Sequence, residues 1–277
     1  MANMNSATVL LGILPALLPL VGSDTAETSL LGVRRPLFAM LLAVSSPSVS
    51  PIRAFVYPNP REMLEKHELG LDVQSLRAST GTLVALIQYI VAIGAVANVV
   101  ELGAELSYMT VSSWGPNETY LIYLWTFLAL PVYACGLVCL RLRVHIVREH
   151  ASPEQSGIRH RLAAWAWGEF TPCIFHGPIR LQLRRETYGY IFISWFTATG
   201  TVLHLVYGVL VFSSLLFISV QDAAAVVIRY LASAVLSRAL VMYEISGMRQ
   251  ASRSSDATDG IGLDAGGRMD AFAIAKV

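Results

Sequence analysis

Polar and apolar positions in this chain sort into blocks rather than stripes. Four apolar runs, residues 83–106, 119–140, 190–217 and 223–246, are too uniformly hydrophobic to be one-sided faces of soluble helices. Roughly 20 helical residues cross a hydrocarbon layer about 30 Å thick, and lipid offers no partner to an unpaired backbone amide. The pattern therefore predicts four membrane-spanning helices.

A shorter apolar run, residues 8–22, contains Pro15 and Pro19 and falls short of a comfortable span. A cleaved signal peptide is one reading of it. Against that, no Lys or Arg lies in the first seven residues, and cleavage near Ser23 would leave every basic residue before the first span outside. A short hairpin or interfacial segment fits better. Asp24-Thr25-Ala26-Glu27 matches a helix-starting box and predicts a helix over residues 25–44. Its Arg34 and Arg35 suit the head-group level, with Leu30, Leu31, Leu37, Leu41 and Leu42 in the acyl boundary.

The remaining stretches separate by composition. Residues 1–46 read as a membrane-dipping hairpin, and residues 47–80 as a Pro-rich linker (Pro47, Pro51, Pro58, Pro60) followed by a short surface helix. Residues 81–247 form the four-helix domain, whose loop 141–189 is too small and too poor in strand pattern for a separate enzyme domain. Within that loop, residues 158–170 set Arg159 and Arg161 among Trp165 and Trp167, an arrangement suited to the head-group layer. The tail 248–277, rich in Ser, Asp and Gly, predicts disorder. The expected fold class is all-α: an integral membrane four-helix bundle with an N-terminal interfacial or re-entrant helical hairpin.

Composition agrees: 55% hydrophobic residues, only 14% charged and a mean hydropathy of +0.56 exclude an ordinary soluble domain. A net charge of +1 gives no reason to expect a nucleic-acid partner, so the partners implied are the lipid bilayer and its head groups or another membrane protein. Charge placement says more. Basic residues flank the first span (Arg53, Arg61, Lys66, Arg77), fill the loop between the second and third (eight arginines, Arg141 to Arg185) and follow the fourth (Arg249, Arg253, Arg268, Lys276). The other two connections carry none, which predicts that both termini are cytoplasmic. The sequon Asn117-Glu118-Thr119 falls in one of those uncharged connections, making Asn117 a glycosylation candidate.

The candidates for chemistry are polar residues inside the spans. Ser194, Thr197, Thr201, His204 and Gly208 recur at spacings of 3, 4, 3 and 4 on one face, so they look toward protein. His204 reads either as a proton-relay or ligand-binding group, or as a neutral imidazole hydrogen-bonded across the bundle. Arg229 and Arg238 are nine positions apart and point in opposite directions around their helix. Arg229 matches the depth of Glu101 and Glu105, which share a face with Asn98; it reads either as an ion pair with them, which would offset desolvation, or as a side chain snorkelling to the exterior. Arg238 has no carboxylate at its level in any other span, leaving Thr197, Thr201, helix carbonyls, a lipid phosphate or an anionic substrate to satisfy it. Glu244, closer to the cytoplasmic boundary, is expected to be solvated.

No cofactor or metal site is implied. His145, His150, His160 and His176 fall in one loop, but only His145 and His150 are close, five positions apart, and adding His67 does not supply the clustered histidines of a di-iron site. Cys135 and Cys139 read as small membrane-embedded residues one turn apart, and with Cys173 they suggest no disulfide framework. Phosphate loops, nucleophile elbows and framed catalytic carboxylates are missing from the sequence.

The passage Gly12-Ile13-Leu14-Pro15, Ala26-Glu27-Thr28-Ser29-Leu30-Leu31, Arg34-Arg35-Pro36-Leu37 and Ser46-Pro47 resembles a group of uncharacterised multi-pass membrane proteins of filamentous fungi. The resemblance covers about forty residues and implies no activity or site. The function expected is that of a non-enzymatic membrane component binding lipid or a partner protein. The alternatives are a small transporter or proton-coupled carrier using His204, Arg238 and the Glu101/Glu105 pair, and an intramembrane enzyme with Glu101 or Glu105 as acid.

Overall fold

The computed structural model describes residues 2–47, 49, 78–115, 118–147, 158–175 and 180–274. Its helices are α1 (Ala2–Val21), α2 (Thr25–Gly32), α3 (Pro36–Ser45), α4 (Ala78–Met109), α5 (Leu121–Arg143), α6 (Ile158–Glu169), α7 (Tyr188–Ser213) and α8 (Val220–Ile274). Four of them, α4, α5, α7 and α8, contain segments long and apolar enough to cross a membrane. The chain is an all-α membrane helical bundle, and the four runs of the sequence are its four long helices.

Two short antiparallel ribbons tie the loops together. Val111–Ser112 pairs with Leu215–Leu216, which joins the α4–α5 connection to the α7–α8 turn at one end of the bundle. Val144–Val147 pairs with Arg180–Leu183 at the other end, a ribbon in the arginine-rich loop where the sequence suggested no strand pattern. Helix α8 also departs from expectation, because the backbone stays helical through Ile274 where a disordered tail was expected.

The N-terminal segment is built into the bundle. Helix α1 packs between α7 and α8, with Ala7, Leu11, Leu14 and Leu18 fully buried against Trp125, Phe212 and Tyr230. Its apolar face thus meets side chains of the other helices, so α1 joins the core rather than lying at the surface. Thr8 Oγ1 donates to the Leu215 carbonyl at 3.4 Å, which sets the start of α1 at the end of the bundle that holds the α7–α8 turn. That is the end opposite Ile245 and Met248. Helix α1 thus starts at one end of the bundle, and the fourth span finishes at the other.

The expected helix 25–44 is two helices. Helix α2 follows α1 at a bend of 55°, opened by the predicted box, in which the Asp24 amide donates to Glu27 Oε2 at 3.1 Å. Pro36 cannot donate to a helix in progress and disfavours a helical residue before it, so the chain turns at Arg35 and α3 starts afresh with Pro36 in its first turn. Helix α3 then climbs back among α4, α5 and α8, and Ser45 Oγ meets Ser237 Oγ at 2.7 Å. Of the predicted linker only Pro47 and Val49 are described, Val49 buried beside Ala129 and Val132; residues 61–77 of the predicted surface helix lie outside the described residues, and residues 78–80 begin α4.

Candidate functional site

The polar side chains of the interior gather into three groups. The largest, which the sequence did not reveal, lies where α3 begins, at the arginine-rich end of the bundle. Arg35 is fully buried and pairs with Glu244 at 2.8 Å, Nη1 to Oε1. The same Nη1 donates to Gln88 Oε1 at 2.7 Å, and Gln88 Nε2 donates to Glu244 Oε1 at 2.5 Å. The amide of Cys173 donates to Glu244 Oε2 at 2.9 Å. Glu244 is thus held by α3, α4 and the 3₁₀ turn Cys173–Phe175, and the expectation that it is solvated fails because the N-terminal segment delivers a guanidinium to it.

A second carboxylate completes this group. Glu169, the last residue of α6, is fully buried. Its Oε1 accepts from the amide of Phe38 at 2.8 Å and from the Tyr89 hydroxyl at 2.7 Å, and its backbone carbonyl accepts from Arg35 Nε at 2.8 Å. The Arg35 guanidinium also lies 4.3 Å from the Phe38 ring centroid and 5.5 Å from that of Tyr89. Arg35 Nη2 and Glu169 Oε2 are buried without a hydrogen-bond partner. Head-group placement of Arg35, the sequence expectation, gives way to complete burial because protein supplies the anions and rings that lipid would not. Burial pushes the neighbouring Cys173 thiol well above its ordinary range, and the Glu244 carboxylate raises it further.

The second group is the one the span positions predicted. Arg229 on α8 reaches Glu105 at 2.8 Å, Glu101 at 2.9 Å and Asn98 Oδ1 at 3.0 Å, all on α4. Asn98 in turn donates to Ser233 Oγ and to the Arg229 carbonyl. Two carboxylates share one guanidinium here, and Glu101 keeps 64% of its side chain exposed.

The remaining candidates go elsewhere. Arg238 donates to the Gly22 carbonyl at 2.6 Å and lies 3.9 Å from Glu27, so the bend between α1 and α2 supplies the acceptor and the carboxylate that no other span could. Thr197 and Thr201 do not meet it; they donate to carbonyls of their own helix, those of Ile193 and Thr197. His204 is buried, 3.0 Å from the Trp125 carbonyl through Nε2 and stacked on the Trp125 ring with centroids 5.3 Å apart. That is the cross-bundle imidazole, with its Nε2–H donating to the carbonyl. His204, Arg238 and the Glu101/Glu105 pair therefore belong to three separate sets of contacts.

Among the described residues, no group of three or more His, Cys, Asp or Glu side chains is placed to hold a metal ion. Asn117, His67, His150 and His176 lie outside the described residues. Comparison of the chain with protein-family models, curated proteins and solved structures finds no match.

The signal for the buried group was weak but present. Gln88 is the one amide in the apolar stretch 83–97, and Glu169 is the one acid in a loop segment of arginines and tryptophans. Neither predicts the other, because their partner Arg35 belongs to a segment that reads as interfacial.

Proposed function

We propose that this multi-pass membrane protein is a non-enzymatic membrane component whose arginine-rich end engages lipid head groups through α6. The observation carrying this reading is that α6 is fixed to the bundle at its last residue while its large apolar side chains stay exposed. Its C-terminal Glu169 is buried against Arg35, Phe38 and Tyr89, while Leu162, Trp165, Trp167 and the following Phe170 stay exposed. Indole rings favour the boundary between hydrocarbon and water, and neighbouring guanidiniums favour lipid phosphates. Arg159 on α6, with Arg141, Arg184 and Arg185 around it in sequence, supplies that charge. By the same bias of basic residues this end is cytoplasmic, which sets the start of α1 on the opposite side of the membrane.

A carrier needs His204, Arg238 and the glutamate pair along one path, and their separate contacts give that reading no support. An intramembrane acid at Glu101 or Glu105 would have to work while tied to Arg229.

A spin label on Trp167→Cys in lipid nanodiscs tests the proposal. The label is expected at the acyl–head-group boundary, more accessible to oxygen than to a water-soluble relaxant, and deeper when anionic lipid is present. Fully aqueous accessibility in both lipid mixtures would overturn the reading.

A further inference from the structure

Helix α4 is the least enclosed of the spans: 28% of its most apolar window is buried inside the protein, against 39–44% for the other three. Its outward stripe changes character along the helix. Toward the arginine-rich end it carries Leu83, Ile87 and Ile90, all more than half exposed. Further on come Gly94, Ala97 and Glu101, and the stripe ends in Tyr108, 85% exposed. A side chain added at Gly94 would meet nothing within 4 Å.

Lipid covers leucine and isoleucine well, but not the second half of this stripe. Glu101 lies seven residues before Tyr108 on the same face, about 10 Å deeper at 1.5 Å per residue. Tyr108, with Trp114 and Tyr120 exposed at the same end of the bundle, marks the membrane boundary. A carboxylate 64% exposed at that depth, on a guanidinium already shared with Glu105, leaves the face with one net negative charge. Small residues beside it allow another helix backbone to approach closely.

We propose that the Gly94–Ala97–Glu101 face of α4 docks a transmembrane helix of a different protein, one bearing a Lys or Arg at the depth of Glu101. Charge selects this occupant. The partner's cation completes a two-against-two cluster with Glu101, Glu105 and Arg229, whereas a second copy of this chain would bring carboxylate toward carboxylate. Packing against Gly94 and Ala97 carries the helix close enough for its cation to reach Glu101. Glu101 lies about 18 Å along α4 from Tyr89, the residue that meets the end of α6, and the inference does not depend on what α6 binds.

The test uses a synthetic Leu/Ala transmembrane peptide with one Lys about 10 Å from a membrane surface, and the same peptide with Leu there. Each is reconstituted with the labelled full-length protein, and association is read by energy transfer. The Lys peptide is expected to associate more strongly than the control. Glu101→Gln should weaken that association about tenfold, the scale of one interhelical polar contact in a bilayer. Gly94→Ile should weaken it comparably without altering the thermal stability of the protein alone. Equal association of the two peptides would overturn the proposal, as would indifference to Glu101→Gln. A homodimer abolished by Gly94→Ile would assign the face to a second copy instead. Loss of co-purifying ethanolamine lipid in Glu101→Gln, with peptide binding unchanged, would assign it to a head group.

Discussion

Arg35 and Glu244 meet at 2.8 Å with neither side chain exposed, and this pair joins the N-terminal segment to the last span. Because Glu244 also accepts from Gln88 and from the Cys173 amide, removing the guanidinium leaves a buried carboxylate without the cation it meets at 2.8 Å. Arg35→Met is therefore expected to destabilise the protein by about 3–5 kcal/mol, the cost of stranding one member of a buried pair. The double variant Arg35→Met/Glu244→Leu should recover much of that loss. Thermal unfolding in detergent, followed by tryptophan emission, checks both. A double variant no more stable than the single one would mean that Glu169 and not Glu244 is the essential partner.

Close packing of α1 makes a second prediction. A methyl group at Gly208 would collide with Trp125 Nε1 and lie 2.9 Å from Pro15 Cβ, so α7 can accept α1 only if this position has no side chain. Gly208→Ala should cost about 1–3 kcal/mol, as overpacking generally does. Gly94→Ala, in open space, should stay within about 0.5 kcal/mol of the parent. The contrast between two glycines in membrane spans separates a packing effect from helix propensity, which would favour alanine at both.

The spans and the Arg229 group were legible for the same reason: a lipid solvent leaves few options. Apolar runs must be helices, and charges at equal depth must find one another. The Arg35 group escaped because its members look individually reasonable at a membrane surface. Two adjacent arginines before a proline read as head-group anchors, and Glu244 near the end of a span reads as solvated. Only the turn from α2 into α3 directs them inward, and that turn depends on contacts with residues such as Glu169, more than a hundred positions away. Arg238 was half legible. The sequence shows no partner for it among the spans, but the segment carrying Gly22 and Glu27 reads as a membrane-dipping hairpin and not as a wall of the bundle.

Alkaline pH should weaken this corner of the structure through Cys173. Folding raises the thiol well above its ordinary 9.0, through burial first and the Glu244 carboxylate second. A group with a raised folded value stabilises fully below its unfolded value and loses that contribution as pH rises toward the folded one. Stability should accordingly decline above about pH 9, and Cys173→Ala should flatten the decline relative to the parent. Urea unfolding between pH 7 and 11 measures it; parallel profiles for the two proteins would assign the alkaline loss to other groups.

The sharpest prediction concerns the two ends of the folded chain. Thr8 contacts Leu215 beside the ribbon of Val111–Ser112, while the fourth span runs from that end past Arg238 to Glu244 and the arginine-rich loop. If that loop is cytoplasmic, Asn5 faces the opposite side of the membrane from Gln250. In a background with Cys135, Cys139 and Cys173 replaced by Ala, a membrane-impermeant maleimide applied to intact cells should label Asn5→Cys and spare Gln250→Cys, with the pattern reversed in inverted vesicles. Labelling of both positions from one side would require α1 to leave its place between α7 and α8. That in turn would expose Leu11, Leu14 and Leu18 and open the contacts of Trp125 with Phe212 and Tyr230, so stability would fall with the topology. Membrane orientation and core packing are one property in this chain, and both are read from which side of the bilayer a reagent finds residue 5.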